Sequence, residues 1–316
     1  MIYTITLNPA IDYTIETNGF SLNETNYYDN AYSLIGGKGI NVAFVLNNLK
    51  NNVLATGFLG DENFEKFNKK FKELKLKNNF FLYPGNTRTN FKIKDLSNNL
   101  EVELNGYGQK IDKNYVNKLM NYLKNNLTKN DIVVVSGSIP KNLDSKIYQE
   151  LGQVINQKQA LFILDSSKSA LLNGLKSKPY LIKPNIGELC AIFEKQVKDY
   201  DFIEIQKMIL KLRRLGARNI LLSMGSNGSY FFSEDNSIYK IGIGKGKLIN
   251  SVGAGDSMLA GFVHGIENNL SLIETLKYAS ACGSATAFNK WLATSKDIKK
   301  QIIEIEIWKI EEGLCK

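Results

Sequence analysis

The sequence predicts an α/β fold: a mostly parallel central sheet flanked by helices on both faces. Short apolar runs alternate with longer amphipathic segments along the chain. Several apolar runs end in turn-forming residues, such as Ser136-Gly137-Ser138 and Lys183-Pro184-Asn185, where ligands bind in such sheets. The strands are read at Ile2–Leu7, Val53–Gly57, Ile132–Ser136, Leu161–Asp165, Tyr180–Lys183 and Ile220–Ser223. Between them, helical spacing covers Gly39–Leu49, Phe64–Leu74, Tyr115–Leu123, Ile147–Ile155, Phe202–Leu215, Asp256–Ile266 and Leu272–Phe288. Two stretches, about 12–35 and 87–108, break the alternation. Their cores, Asp12–Ser33 and Thr87–Leu104, are rich in Thr, Tyr, Asn and β-branched residues without helical periodicity. They are expected to pair as a small sheet, a lid over the ligand cleft whose edges also offer a dimerisation surface. No repeat or linker divides the chain, so 1–316 is expected to be a single domain.

Composition narrows the function. Hydrophobic residues make up 43% and charged residues 22%, as in ordinary globular proteins. No apolar stretch has the length of a membrane span. The first residues read as a strand rather than a secretion signal, so a cytoplasmic location is expected. Cys190, Cys282 and Cys315 form no metal-ligand pattern. His264 is the only histidine, which argues against a Ser–His–Asp triad or a zinc site and reads as a packing residue. The net charge of +9 is carried by scattered lysines without interleaved aromatics, so no nucleic-acid partner is expected.

Four motifs carry chemistry. In Gly253-Ala254-Gly255-Asp256-Ser257, two glycines enter a helix whose amides can hold an anion, beside a carboxylate able to take a proton from a hydroxyl. A glycine turn with Asp256 as N-cap is the plainer reading. Gly36-Gly37-Lys38-Gly39-Ile40-Asn41 precedes an apolar helix: its glycines permit close ligand approach, Lys38 can hold an anion, and Asn41 can bond hydroxyls. The spacing is not that of a P-loop, and a helix start with a solvated lysine fits equally. Asn185 and Glu188, three apart on a first helical turn, suit Mg²⁺ held through its waters, or else a capping box. Ser223-Met224-Gly225-Ser226-Asn227-Gly228 joins two strands, either as a nucleotide loop or as a plain hairpin.

Asn8-Pro9-Ala10-Ile11-Asp12, the Gly-Gly-Lys-Gly-x-Asn run at 36–41, Asn185-x-x-Glu188 and Gly253-Ala254-Gly255-Asp256 stand in the order seen in the PfkB branch of the ribokinase-like sugar kinases, and the chain resembles that family from its first strand to Leu292-Ala293-Thr294. The Thr6–Asp12 opening and Glu103-x-Asn105-Gly106-x-Gly108 are most similar to members that phosphorylate fructose 1-phosphate at its 6-hydroxyl. Kinases of tagatose 6-phosphate and fructose 6-phosphate are the near alternatives, and a non-catalytic sugar-phosphate sensor is the alternative of another class. The resemblance implies ATP and Mg²⁺ as cofactors. It implies Asp256 as the base, with the amides of Gly253, Ala254 and Gly255 on the moving phosphoryl group. It implies Asn185 and Glu188 for the metal, and Lys183, Asn185, Ser223, Gly225, Ser226, Gly228 and Gly255 around the nucleotide. On the sugar side it implies Asp12, Gly37 and Asn41 for hydroxyls, with Lys38, Arg88 and Ser138 for the existing phosphate. A homodimer through the lid is expected. Asn250-Ser251-Val252 and Asn289-Lys290-Trp291 depart from the family pattern near the nucleotide and cation loops, which leaves nucleotide preference and K⁺ dependence open.

Overall fold

The computed structural model describes residues 1–195 and 201–311; Cys315 lies outside them. The chain begins with β1 (Ile2–Thr6), β2 (Ala10–Thr17), β3 (Asn30–Gly36), α1 (Lys38–Asn48), β4 (Val53–Gly60), α2 (Phe64–Glu73) and β5 (Lys77–Tyr83). Then follow β6 (Thr89–Asp95), β7 (Leu100–Asn105), α3 (Lys113–Asn126), β8 (Ile132–Ser136), α4 (Ile147–Gln157), β9 (Leu161–Asp165), α5 (Lys168–Leu175) and β10 (Leu181–Ile182). The rest comprises α6 (Ile186–Ile192), α7 (Phe202–Arg214), β11 (Asn219–Ser223), β12 (Ser229–Phe232), β13 (Ile238–Ile241), α8 (Ala254–Glu267), α9 (Leu272–Ala287), α10 (Ser295–Ile302) and β14 (Ile307–Ile310).

Ten strands form the main sheet in the order β14-β13-β12-β11-β10-β9-β8-β1-β4-β5. Every neighbouring pair from β5 to β11 is parallel, and β11 to β14 run antiparallel at one edge. Alternation along each strand feeds two apolar layers. Ile2, Val134 and Ile163 pack under α1, α8 and α9, while Tyr3, Ile5, Val133 and Val135 face α3, α4 and α7. A sheet covered on both faces directs its ligands to the ends of its strands.

The sequence reading finds the central strands and most helices to within a few residues. It omits β5, whose first three residues are polar, and α10, which is mostly polar and held by a Thr294–Asp297 capping box. It also omits α5 and the short edge strands β13 and β14. At β10 the ladder stops at Ile182, because Lys183 precedes Pro184 and leaves the sheet. His264 packs as expected: its Nδ1 lies 2.7 Å from Asn51 Oδ1, its ring lies 4.7 Å from Tyr278, and burial pushes its pKa down.

The two aberrant stretches build a second sheet ordered β3-β2-β6-β7, joined to the main body at four places, two at strands β1 and β5 and two at helices α1 and α3. These are residues 7–9, Gly37, 84–88 and 106–112. The pairing register sorts its faces. Asp12, Asn90 and Asn105 lie in one row, with Leu34 opposite Asp12, and Thr14, Lys92, Glu103 and Tyr32 form the next row on that face. Tyr13, Phe91, Ile93, Val102 and Leu104 take the other face, where Phe91, Val102 and Leu104 remain exposed.

Candidate active site

The site begins where α8 leaves its loop. Gly253 occupies the cap position at φ 78°, a left-handed conformation that a glycine adopts without strain. The helix starts at Ala254, so Asp256 is its third residue and not its cap; the N-cap reading of Asp256 is thereby corrected. Gly253 has no side chain to cap the turn. Ala254 N–H donates to the Ser251 carbonyl at 3.2 Å, which withdraws it from the expected anion hole. The amides of Gly253 and Gly255 have no partner among the described residues and face the positive end of the helix dipole.

Asp256 is buried, and α1 packed on α8 brings it Asn41, whose Nδ2 donates to Asp256 Oδ2 at 2.8 Å. Burial pushes its pKa up to about 6, and the charge of Asp165 adds to the rise; Lys38, the Asn41 hydrogen bond and Lys183 oppose it. A carboxylate poised there is matched to taking a proton near neutral pH.

Asp165 is the residue that the sequence reading passed over. It ends β9, is fully buried, and lies between two ammonium groups: Lys38 Nζ at 3.3 Å from Oδ1 and Lys183 Nζ at 3.6 Å from Oδ2. Its place as the charged end of an apolar parallel strand was the signal available. Lys183 also reaches α8, because a Cβ on Gly255 would stand 3.1 Å from its Nζ. Lys38 Nζ is 3.5 Å from Glu188 as well, and Asp165, more than any other group, holds its pKa far above the ordinary lysine value. Lys38 therefore stands among the carboxylates of Asp165, Glu188 and Asp256.

Asn185 and Glu188 do form the capping box at the start of α6. Glu188 N–H donates to Asn185 Oδ1 at 2.7 Å and Asn185 N–H to Glu188 Oε2 at 3.0 Å, which leaves Glu188 Oε1 facing Lys38. Among the described residues no group of three or more His, Cys, Asp or Glu side chains converges as a metal cage. The oxygens present still suit Mg²⁺, which keeps several waters and leans on substrate phosphates. Asp165 Oδ2 is buried with no hydrogen-bond partner, and three carboxylates against two ammonium groups leave the cluster at a formal −1 (2 − 3).

On the sugar side, Asp12, Gly36, Asn41, Asn90 and Asn105 line one cleft of about 240 Å³ under the small sheet. Asn90 Nδ2 donates to Asp12 Oδ1 at 2.7 Å, and burial raises the pKa of Asp12. Gly37, at φ 129°, caps α1 where a Cβ would stand 2.9 Å from Thr6 Cγ2, so only glycine fits there. Asn90 and Asn105 were not singled out from the sequence.

Arg88 and Ser138 are linked through Asn8. Arg88 NH2 donates to the Asn8 carbonyl at 3.0 Å, NH1 to the Gly106 carbonyl at 2.8 Å and Nε to the Pro9 carbonyl at 3.3 Å; Asn8 Nδ2 donates to Ser138 Oγ at 3.1 Å. Three of the five guanidinium donors are thus committed to backbone, and two stay free for an anion. Ser223, Gly225, Ser226 and Gly228 lie across the sheet, between β11 and β12. Ser223 bridges to Asn185, Gly225 faces open space, and Gly228 backs onto the Ile241 carbonyl. The loop forms the hairpin of the plainer reading, set beside the Asn185 turn.

A buried carboxylate at a helix N-terminus, with cations and hard oxygens on one side and a cleft lined by carboxylate and amide groups on the other, defines a phosphotransferase acting on a sugar hydroxyl. The chain belongs to the pfkB family of carbohydrate kinases, whose family model matches residues 5–298. It is 36% identical to a 1-phosphofructokinase of Borreliella burgdorferi, over 97% of this chain and 98% of that protein. It is 32% identical to a tagatose-6-phosphate kinase of Staphylococcus epidermidis, over 97% and 100%. The fold is also that of phosphofructokinase-2 from Escherichia coli in complex with potassium, with a TM-score of 0.87 at 24% identity over 96% of this chain and 98% of that one.

Proposed function

We propose that the protein transfers the γ-phosphoryl group of ATP to the 6-hydroxyl of D-fructose 1-phosphate, giving fructose 1,6-bisphosphate and ADP. The observation that carries this reading is Asp256: buried, raised to about 6, bonded to Asn41 and set beside the free amides of Gly253 and Gly255. Asp12, Asn41, Asn90 and Asn105 hold the sugar hydroxyls, so that the 6-hydroxyl reaches Asp256. Asp256 takes its proton as the oxygen attacks phosphorus, and the two amides receive charge on the moving group. Arg88, through its free donors, and Ser138 hold the existing phosphate at the rim. Lys38 and Lys183 meet the phosphates of ATP, and the 223–228 loop supports the nucleotide. Glu188 and Asn185, with Asp165 beside them, hold Mg²⁺, which when bound neutralises phosphate charge. The name of the Borreliella relative favours fructose 1-phosphate, and that of the Staphylococcus relative marks tagatose 6-phosphate as the nearest alternative.

The whole chain acts as one ribokinase-like domain. Its small sheet is a lid that excludes water during transfer, in a cytoplasmic enzyme. A second copy of the chain covers the lid's outer face, which carries Phe91, Val102 and Leu104 exposed at 44%, 41% and 59%. Potassium bound to the loops around 250 and 291 is part of this reading, following the Escherichia coli complex. Coupled ADP-release kinetics with fructose 1-phosphate, fructose 6-phosphate and tagatose 6-phosphate, each with and without Mg²⁺ and K⁺, test it. Fructose 1-phosphate is expected to give the highest kcat/KM; a higher value for either other sugar reassigns the substrate.

A further inference from the structure

We infer that Trp291 is the fixed jaw of the acceptor cleft, the aromatic wall against which Leu34 and Tyr32 of the small sheet close over the bound sugar phosphate. This deepens the proposed function and rests on it. Trp291 and Leu292 line the cleft from the main body, and Leu34 and Tyr32 line it from the small sheet. The register puts these two side chains on the sheet face that carries Asp12: Leu34 opposite Asp12 and Tyr32 opposite Thr14. The small sheet thus presents apolar groups beside its hydroxyl-binding row.

The jaw is held from behind. The Trp291 ring lies 5.5 Å from that of Phe44, a fully buried residue of α1, and Lys70 Nζ stands 4.5 Å over it. Its neighbour Leu292 reaches the catalytic loop, since a Cβ on Gly253 would stand 2.6 Å from Leu292 Cδ2 and 3.7 Å from Asn41 Nδ2. The pair therefore spans the body wall from the rim to the reacting centre.

A sugar bound in this cleft offers hydroxyls to Asp12, Asn41 and Asn90, and its C–H surface meets these apolar walls. Closing Leu34 and Tyr32 toward Trp291 removes apolar area from water on both walls at once. That contribution is independent of where the sugar carries its phosphate. It stabilises the closed state only when a sugar fills the gap, so exclusion of water from the γ-phosphoryl group follows sugar binding.

Trp308, on the edge strand β14, is the only other tryptophan, so Trp308→Phe isolates the emission of Trp291. In that protein, saturating fructose 1-phosphate with Mg²⁺ and a non-hydrolysable ATP analogue is expected to blue-shift the emission, and the analogue alone is expected to leave it in place. Trp291→Ala is expected to raise KM for the accepted sugar phosphate at least fivefold, leave KM for ATP unchanged, and increase ATP hydrolysis without transfer. Trp291→Phe is expected to restore most of the loss, and Leu34→Ala to repeat it from the other wall. In an enzyme that turns over any of the three sugars, unmoved emission overturns the inference alone, and so does a wild-type sugar KM in Trp291→Ala. Turnover of none overturns the proposed function and the inference with it. Emission from the native Trp291 decides the matter even if the alanine variant fails to fold.

Discussion

Asp256 sets two properties against each other at a single residue. Burial and the neighbouring Asp165 favour its protonated form, so its ionised form, which the proposed transfer uses, opposes folding. The folded state holds this proton up to about pH 6, whereas an unfolded aspartate releases it near 4. Stability therefore falls as pH rises between those values. Asp256→Asn is expected to lose on the order of a hundredfold or more in kcat. It is also expected to melt higher than the wild type at pH 8, with the two proteins converging below about pH 4, where both states of the wild type carry the proton. Calorimetry across that range checks the second outcome; a lower melting temperature at pH 8 would contradict it. The rate of the wild type should rise with pH through about 6. In Asp165→Asn that limb should move to lower pH, because the largest charge opposing ionisation is gone and both ammonium groups remain. These side chains were unequally legible. Asp256 and Asn41 sit in glycine-marked motifs, while Asp165 is a bare strand end whose meaning comes from Lys38 and Lys183, far away in sequence.

Among the elements, the least legible was the join between the small sheet and the body. Arg88 was read as a phosphate ligand, since an arginine fork suits an anion. It also bolts the chain after β1 to the chain after β7, through the carbonyls of Asn8, Pro9 and Gly106. No sequence pattern displays a side chain spent on backbone carbonyls, because the partners are set by topology. Arg88→Ala should therefore speed hydrogen exchange in β6 and β7 even without ligand, as well as raise KM for the sugar phosphate. Exchange identical to wild type would leave Arg88 with the anion role alone. The helices and central strands were readable because each buries a regular apolar face. β5, α10, β13 and β14 were not, since their sequences are short or polar and long-range pairing or capping decides them.

For the whole molecule, the exposed outer face of the small sheet sets the expected assembly. β7 is exposed along its entire length, and its apolar residues share the outer face while Glu101 and Glu103 turn inward to Lys92. Val102→Asp with Leu104→Asp should shift the protein to a monomer in sedimentation velocity without altering the main sheet. An unchanged mass would place any interface elsewhere. The order of the motifs made the overall architecture readable in advance: the 183–188 and 223–228 motifs stand at ends of main-sheet strands, while Gly36–Asn41 follows β3 of the small sheet and Gly253–Asp256 follows the loop after β13. The faces of the small sheet were not readable, since they depend on a register fixed only when four separated strands meet.

The four joins at the base of that sheet make it a lever. β2 and its neighbours extend away from the joins, and eight residues of strand at about 3.3 Å each give an arm of about 26 Å. A tilt of about 5° at the base then sweeps the far end through about 2 Å. That end, residues 18–29, carries Leu22, Tyr27 and Tyr28 exposed to its surroundings. If the proposed lid tilts on these joins, whatever rests against the tip would move on an amplified scale, and a hand placed there would hold the cleft still.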